Sequence, residues 1–141
     1  MDVVTKEKRS YIMSRVSQRS TPQEILVRKF LFRNGLRYRI NYKRLPGSPD
    51  IVLPRFKIAI FVNGCFWHGH QCKGTKLPKS NVEFWKSKIE ANKQRDKNNI
   101  SELEQLGWNT IAIWQCQLKT INQQVLTLKN LLEAIVNMGP V

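Results

Sequence analysis

The sequence is short of acid. Ten Asp and Glu stand against 24 Lys and Arg, a formal net charge of +14 over 141 residues. Such a field attracts polyanions and repels other copies of itself. Nucleic acid leads among polyanions, since each neutralised phosphate releases a counterion; the bland alternative is a solvated basic surface, as on ribosomal or membrane-surface proteins. Long apolar runs are missing too. None approaches the roughly 20 residues that span a bilayer, which excludes a transmembrane helix and any membrane role built on one. The stretch Met1 to Arg19 is polar and basic with no apolar signal core, so a cytoplasmic protein is expected. Cysteine is scarce and odd in number, three in all, which excludes a disulfide framework in an unexported chain. Internal repeats and low-complexity tracts are absent.

Apolar residues make up 41% of the chain, enough for one core and too many for a disordered polymer. A basic arm over residues 1–20 followed by a single domain over 21–141 is expected. Within the arm, Thr5 to Val16 can form a short basic helix. Thr21-Pro22-Gln23-Glu24 opens the first firm helix: Thr21 caps, Pro22 suits the first helical position, and Glu24 completes a capping box. Ile25, Leu26, Phe30 and Leu31 recur at helical spacing, and Gly35 can close the helix in the left-handed conformation. Leu36 to Tyr42 alternates apolar and basic residues, a half-buried strand. Ile51 to Leu53 and Lys57 to Val62 read as two strands about Pro54-Arg55-Phe56, the second nearly all apolar and therefore central. Ser80-Asn81-Val82-Glu83 reads as a second capping box. It opens a long helix to about Leu106, with Phe84, Trp85, Ile89, Ile100, Leu103 and Leu106 on its buried side. Trp108 to Trp114 is a strand, reached by a parallel crossover. Ile121 to Val136 is a last amphipathic helix with Val125, Leu128, Leu131, Leu132 and Ile135 inward. A mixed sheet with helices on its faces, an α/β fold, accommodates this order.

Several residues carry chemistry. Asp50 enters an apolar strand, and an unpaired buried charge is costly; a magnesium ion would answer that cost, as would a turn or cap role. Cys65, His70 and Cys72 offer soft donors at short spacing. Zinc wants four, and Cys116 lies just past a strand that would sit beside Lys57 to Val62, so the two strand ends would bring the thiols together as a closed, structural site. His68 competes with His70 for the imidazole position, because simple alternation puts both on one face; Gly69 permits a break. Phe66 and Trp67 either cover the metal loop or wedge between base steps. Lys88, Asn92 and Asp96 share a helix face, which is either solvated or able to read base edges.

Pro46-Gly47-Ser48-Pro49-Asp50, Phe61-Val62-Asn63-Gly64-Cys65-Phe66-Trp67-His68-Gly69-His70-Gln71-Cys72, Glu83-Phe84-Trp85, Leu106-Gly107-Trp108 and Trp114-Gln115-Cys116 together resemble the very-short-patch repair endonuclease family. The resemblance covers about Ser10 to Cys116. It implies a restriction-endonuclease-like mixed sheet flanked by helices, with a structural zinc site. It also implies a monomeric enzyme of the bacterial cytoplasm that nicks duplex DNA 5′ of the thymine in a T·G mismatch, with mismatch-repair proteins and a DNA polymerase as partners. Carried over, Asp50 would bind catalytic magnesium together with the Val62 backbone carbonyl. His68 would move a proton near the attacking water, and Glu24 would order metal-bound waters. Cys65, His70, Cys72 and Cys116 would hold zinc. Met13, Phe66 and Trp67 would insert beside the mismatch, Lys88 and Asn92 would contact the mispaired bases, and Asp96 would orient His68. Two positions depart from the pattern: Val62 stands where the family usually has threonine, and Asn63 where it often has histidine. A side-chain hydroxyl is thereby lost while the backbone carbonyl remains. A zinc-stabilised DNA-binding module without catalysis, and a restriction-like nuclease of other specificity, are the competing readings.

Overall fold

The computed structural model describes residues 21–66, 68–70 and 79–140. The expected arm with its helix and Met13, and also Trp67 and Cys72, lie outside the described residues.

Helix α1 (Pro22–Arg33) begins where expected. The Thr21 hydroxyl accepts the Glu24 N–H at 3.2 Å, which satisfies one of the amides that a helix start leaves open. The Glu24 carboxyl is buried and stays in hydrogen-bond contact with the Thr21 side chain. The helix closes through Gly35 at φ +76°, with the Leu36 N–H on the Leu31 carbonyl and the Gly35 N–H on the Phe32 carbonyl, both at 3.0 Å. This is the double-bonded left-handed stop that glycine favours.

The strand expected over Leu36 to Tyr42 shortens to β1 (Arg39–Ile40), and both residues are exposed. Asn41 adopts φ +48°, which breaks the pleat after two residues. The amides of Asn41 and Tyr42 still bond the carbonyls of Asp50 and Pro49, at 3.0 and 3.2 Å. β2 (Ile51–Leu53) and β3 (Ile58–Asn63) follow, joined by a tight turn with Lys57 at φ +52°. β2 pairs antiparallel to both β1 and β3.

Helix α2 (Val82–Gln105) crosses over to β4 (Asn109–Trp114), which pairs parallel to β3 from Ile58↔Asn109 to Asn63↔Trp114. Two antiparallel strands can share a turn; a parallel partner needs such a crossover. The second capping box does not form. Asn81 caps α2 in a left-handed conformation, φ 55° and ψ 41°, with no side-chain bond, and the extended cap backbone that a serine or asparagine side chain needs is lost. A 3₁₀ turn (Gln115–Leu118) leads to α3 (Ile121–Met138), where Thr120 and Gln123 form a complete capping box.

The sheet runs β1-β2-β3-β4, so the apolar β3 is internal, as its composition predicts. Alternation along the strands sorts the core into two layers. Ile51, Leu53, Ile58, Ile60 and Ile113 pack with Val27 and Leu31 of α1 and with Leu128, Leu131 and Ile135 of α3. On the opposite face, Val52 and Ala59 pack with Leu103 of α2. Three expected core residues are exposed instead: Phe84, Leu106 and Val125. Among its apolar residues α2 buries fully only Ile89 and Leu103. Phe84 is covered edge-on by its helix neighbour Trp85 at 5.2 Å, and Leu106 falls at the helix stop. In α3 burial starts at Leu128, one turn past Val125.

Candidate active site and metal centre

Asp50 precedes β2 by one residue, and the two-residue period of a strand puts it on the same face as Val52, the α2 side. Its Oδ2 accepts the Val62 N–H at 2.8 Å. That bond explains how a carboxylate enters the sheet: the neighbouring strand supplies a partly buried donor. Burial still raises the Asp50 pKa, while the Val62 N–H, His68 and Arg28 pull it down. Glu24, in the first turn of α1, is only 5% exposed. Its carboxyl is pushed up to about 7, first by burial and then by the charge of Asp50, against the opposing effects of Arg28 and Thr21.

His68 lies in the turn after β3. Its Nδ1 meets Asp96 Oδ2 of α2 at 2.5 Å. A carboxylate on one ring nitrogen fixes the imidazole's tautomer and plane and leaves the other nitrogen to act. Asp50, Val62, Asn63, His68, Asp96 and Asn99 line one cavity of about 170 Å³, with Phe61 and Ile100 among its apolar walls. Asp50 and Glu24, each with its pKa raised chiefly by burial, offer carboxylate oxygens of the kind a hard cation such as magnesium takes.

A second cluster lies where β3 and β4 end side by side. Ligand atoms of Cys65, His70 and Cys116 all fall within 4.8 Å of one another. Donors held about 2.0–2.3 Å from a tetrahedral zinc are themselves roughly 3.3–3.8 Å apart, so little adjustment is needed. The Cys116 N–H points at Cys65 Sγ at 3.4 Å, and Cys116 Sγ lies 3.5 Å from His70 Nδ1. An amide aimed at sulfur suits a thiolate ligand. The parallel register Asn63↔Trp114 is what joins residues 51 positions apart.

The chain parts the two histidines at Gly69. It takes φ +64°, and a Cβ there would come within 2.6 Å of Lys93 Cδ and 2.8 Å of Ile89 Cγ2. Only glycine fits, and the break in alternation sends His68 to Asp96 and His70 to the thiols. Trp114 lies beside both: it stacks on His70 at 4.1 Å and meets His68 edge-on at 6.3 Å.

Phe66 packs edge-on against Trp85 at 5.6 Å, and Lys88 Nζ lies 5.9 Å from the rings of both Phe84 and Trp85. Lys88, Asn92 and Asp96 follow one another at single turns of α2. Of these, Asp96 is drawn into the cavity. Met13, Trp67 and Cys72, the remaining expected site residues, fall outside the described residues.

Three residues near the site escaped the sequence reading. Arg28 is one turn from Glu24, and its charge acts on both carboxyls. Asn99 lines the cavity one turn past Asp96, and that helical spacing was a usable signal. Trp114 reads from the sequence as a strand end and as part of a family motif, not as a neighbour of the two histidines.

A family model described as DNA mismatch endonuclease Vsr matches residues 1–74. A type II nicking enzyme of Neisseria meningitidis serogroup A is 49% identical over 118 residues, covering 84% of each chain. A type II nicking enzyme of Xanthomonas oryzae pv. oryzae is 42% identical over 132 residues, 94% of this chain and 97% of that one. DNA mismatch endonuclease Vsr of Escherichia coli is 40% identical over 118 residues, 84% of this chain and 76% of its own.

Proposed function

Since the chain belongs to the family of DNA mismatch endonuclease Vsr and is a DNA endonuclease, we propose that it nicks duplex DNA 5′ of the thymine in a T·G mismatch by magnesium-dependent hydrolysis. In this reading the sheet is of restriction-endonuclease type. The observation that carries it is the convergence of Asp50 and the Asp96-held His68 on one small cavity.

Asp50 and the Val62 carbonyl would hold the magnesium ion, with Glu24 ordering its waters. When bound, the ion supplies positive charge at the scissile phosphate and makes water more acidic. Asp50 is positioned for this by the Val62 N–H. His68 works from its Nε2, because Nδ1 is engaged by Asp96. It takes a proton from the attacking water or returns one to the leaving oxygen. Asp96 holds the ring plane and balances the imidazolium that forms. Cys65, His70, Cys72 and Cys116 would hold a structural zinc that fixes the loop bearing His68. Met13, Phe66 and Trp67 would insert at the mismatch, where unstacking is easier than at a paired step. Lys88 and Asn92 would contact the mispaired bases, on the α2 face that ends in Asp96. Mismatch-repair proteins and a polymerase would act on the nicked product.

A mutant series tests this. Asp50→Ala should abolish magnesium-supported nicking of a T·G duplex and leave DNA binding within a few-fold of the parent. His68→Ala should slow single-turnover nicking about 10²–10⁴-fold, and Asp96→Asn should slow it less. An Asp50→Ala protein that cuts normally would remove the metal assignment. Binding by the parent without nicking would favour a non-catalytic module, a reading to which Val62 and Asn63 lend support.

A further inference from the structure

A second groove, of about 410 Å³, lies between α1 and the terminal strand β1. Arg28 and Phe32 of α1 line it together with Arg37, Tyr38, Arg39 and Ile40. Among the described residues that line it, three are arginines and none is acidic. Phe32 and Ile40 are 62% and 42% exposed, a rim that solvent alone does not favour. The Arg37 guanidinium stands over the Phe32 ring at 5.7 Å, which limits the freedom it would lose on binding.

The groove is tied to the carboxylates through the backbone and through Arg28. Asn41, directly after Ile40, donates to the Asp50 carbonyl at 3.0 Å. Arg28 lines the groove and also acts on the charges of Asp50 and Glu24.

We propose that this groove holds the sugar–phosphate backbone of the DNA substrate where it passes the active site, with Arg28, Arg37 and Arg39 as phosphate contacts. The proposal rests on the reading that the chain cuts duplex DNA. Guanidinium forks match phosphate oxygens in pairs, and the exposed aromatic and aliphatic rim suits the apolar face of deoxyribose. A second copy of this chain is disfavoured by the net charge of +14. An acidic peptide added to the β1 edge is the other occupant of matching charge; continuity with Asp50 favours DNA.

The test is the salt dependence of binding to long duplexes, one with T·G and one with C·G at the same place. Arg37→Gln/Arg39→Gln should lower the slope of log K against log salt by roughly 1.8, about 0.9 for each lost contact. The fall should be equal on both duplexes, because phosphate contacts carry no sequence information. Lys29→Gln/Arg33→Gln, an exposed pair on α1 that does not line the groove, should move the slope less than half as far. If the double variant melts early, Arg39→Gln alone should give about 0.9. An unchanged slope, or an equal fall in the Lys29/Arg33 control, overturns the proposal; so does an unchanged slope accompanied by lost binding of a poly-glutamate peptide. The mismatch reading stands or falls separately, on whether the parent protein discriminates between the two duplexes in nicking.

Discussion

Glu24 is the residue whose behaviour is least ordinary. At the start of a helix a glutamate normally faces solvent and favours the dipole; here it is buried beside another acid and its pKa rises to about 7. The folded state therefore binds a proton over a range in which the unfolded chain has lost it. Between about pH 4.5 and 7 the metal-free protein should lose stability as pH rises, by an amount on the order of 1–3 kcal/mol. Asp50 shifts in the same direction. Denaturant titrations across this window should show the fall, and Glu24→Gln should flatten much of it. A divalent cation should restore more stability at pH 7 than at pH 5. A slope that Glu24→Gln leaves untouched would mean that the carboxyl is solvated in solution. The sequence offered no sign of this burial: Thr21-Pro22-Gln23-Glu24 reads as an ordinary capping box, and only the sheet end brought against α1 turns the acid inward.

At the scale of elements, β3 and β4 do most of the organising. Their parallel register places residue 65 near residue 116 and Trp114 against His70. That convergence was legible, because an apolar run ending in Cys65 and a strand ending just before Cys116 are natural neighbours in one sheet. What was not legible was the division between His68 and His70, which depends on α2 pressing against Gly69 from across the fold. The burial of α2 and α3 was legible only in part. Phe84, Leu106 and Val125 follow helical spacing but stay exposed among the described residues. Periodicity names a face; it does not say how far along that face the packing extends. Cys116→Ser tests the proposed zinc site: bound zinc should fall to a small fraction of the parent's, and the melting temperature should drop by roughly 5–10 °C. Unchanged zinc content by elemental analysis would remove Cys116 from the ligand set.

The whole molecule is a strongly basic, three-layer α/β protein, with α1 and α3 on one face of its sheet and α2 on the other. Among the described residues no helix is long and apolar enough to cross a membrane. Its candidate site lies on the α2 face, at the end of β3, where strand, turn and helix all contribute polar groups. The excess positive charge supplies affinity for DNA without choosing a sequence; choice must come from the site and the aromatics near it. The proposed activity therefore turns on discrimination by a single base pair. Purified protein with magnesium should nick one strand of a duplex on the 5′ side of the thymine in a T·G pair and leave the matched C·G duplex intact under the same conditions. Equal cutting of both duplexes would contradict it.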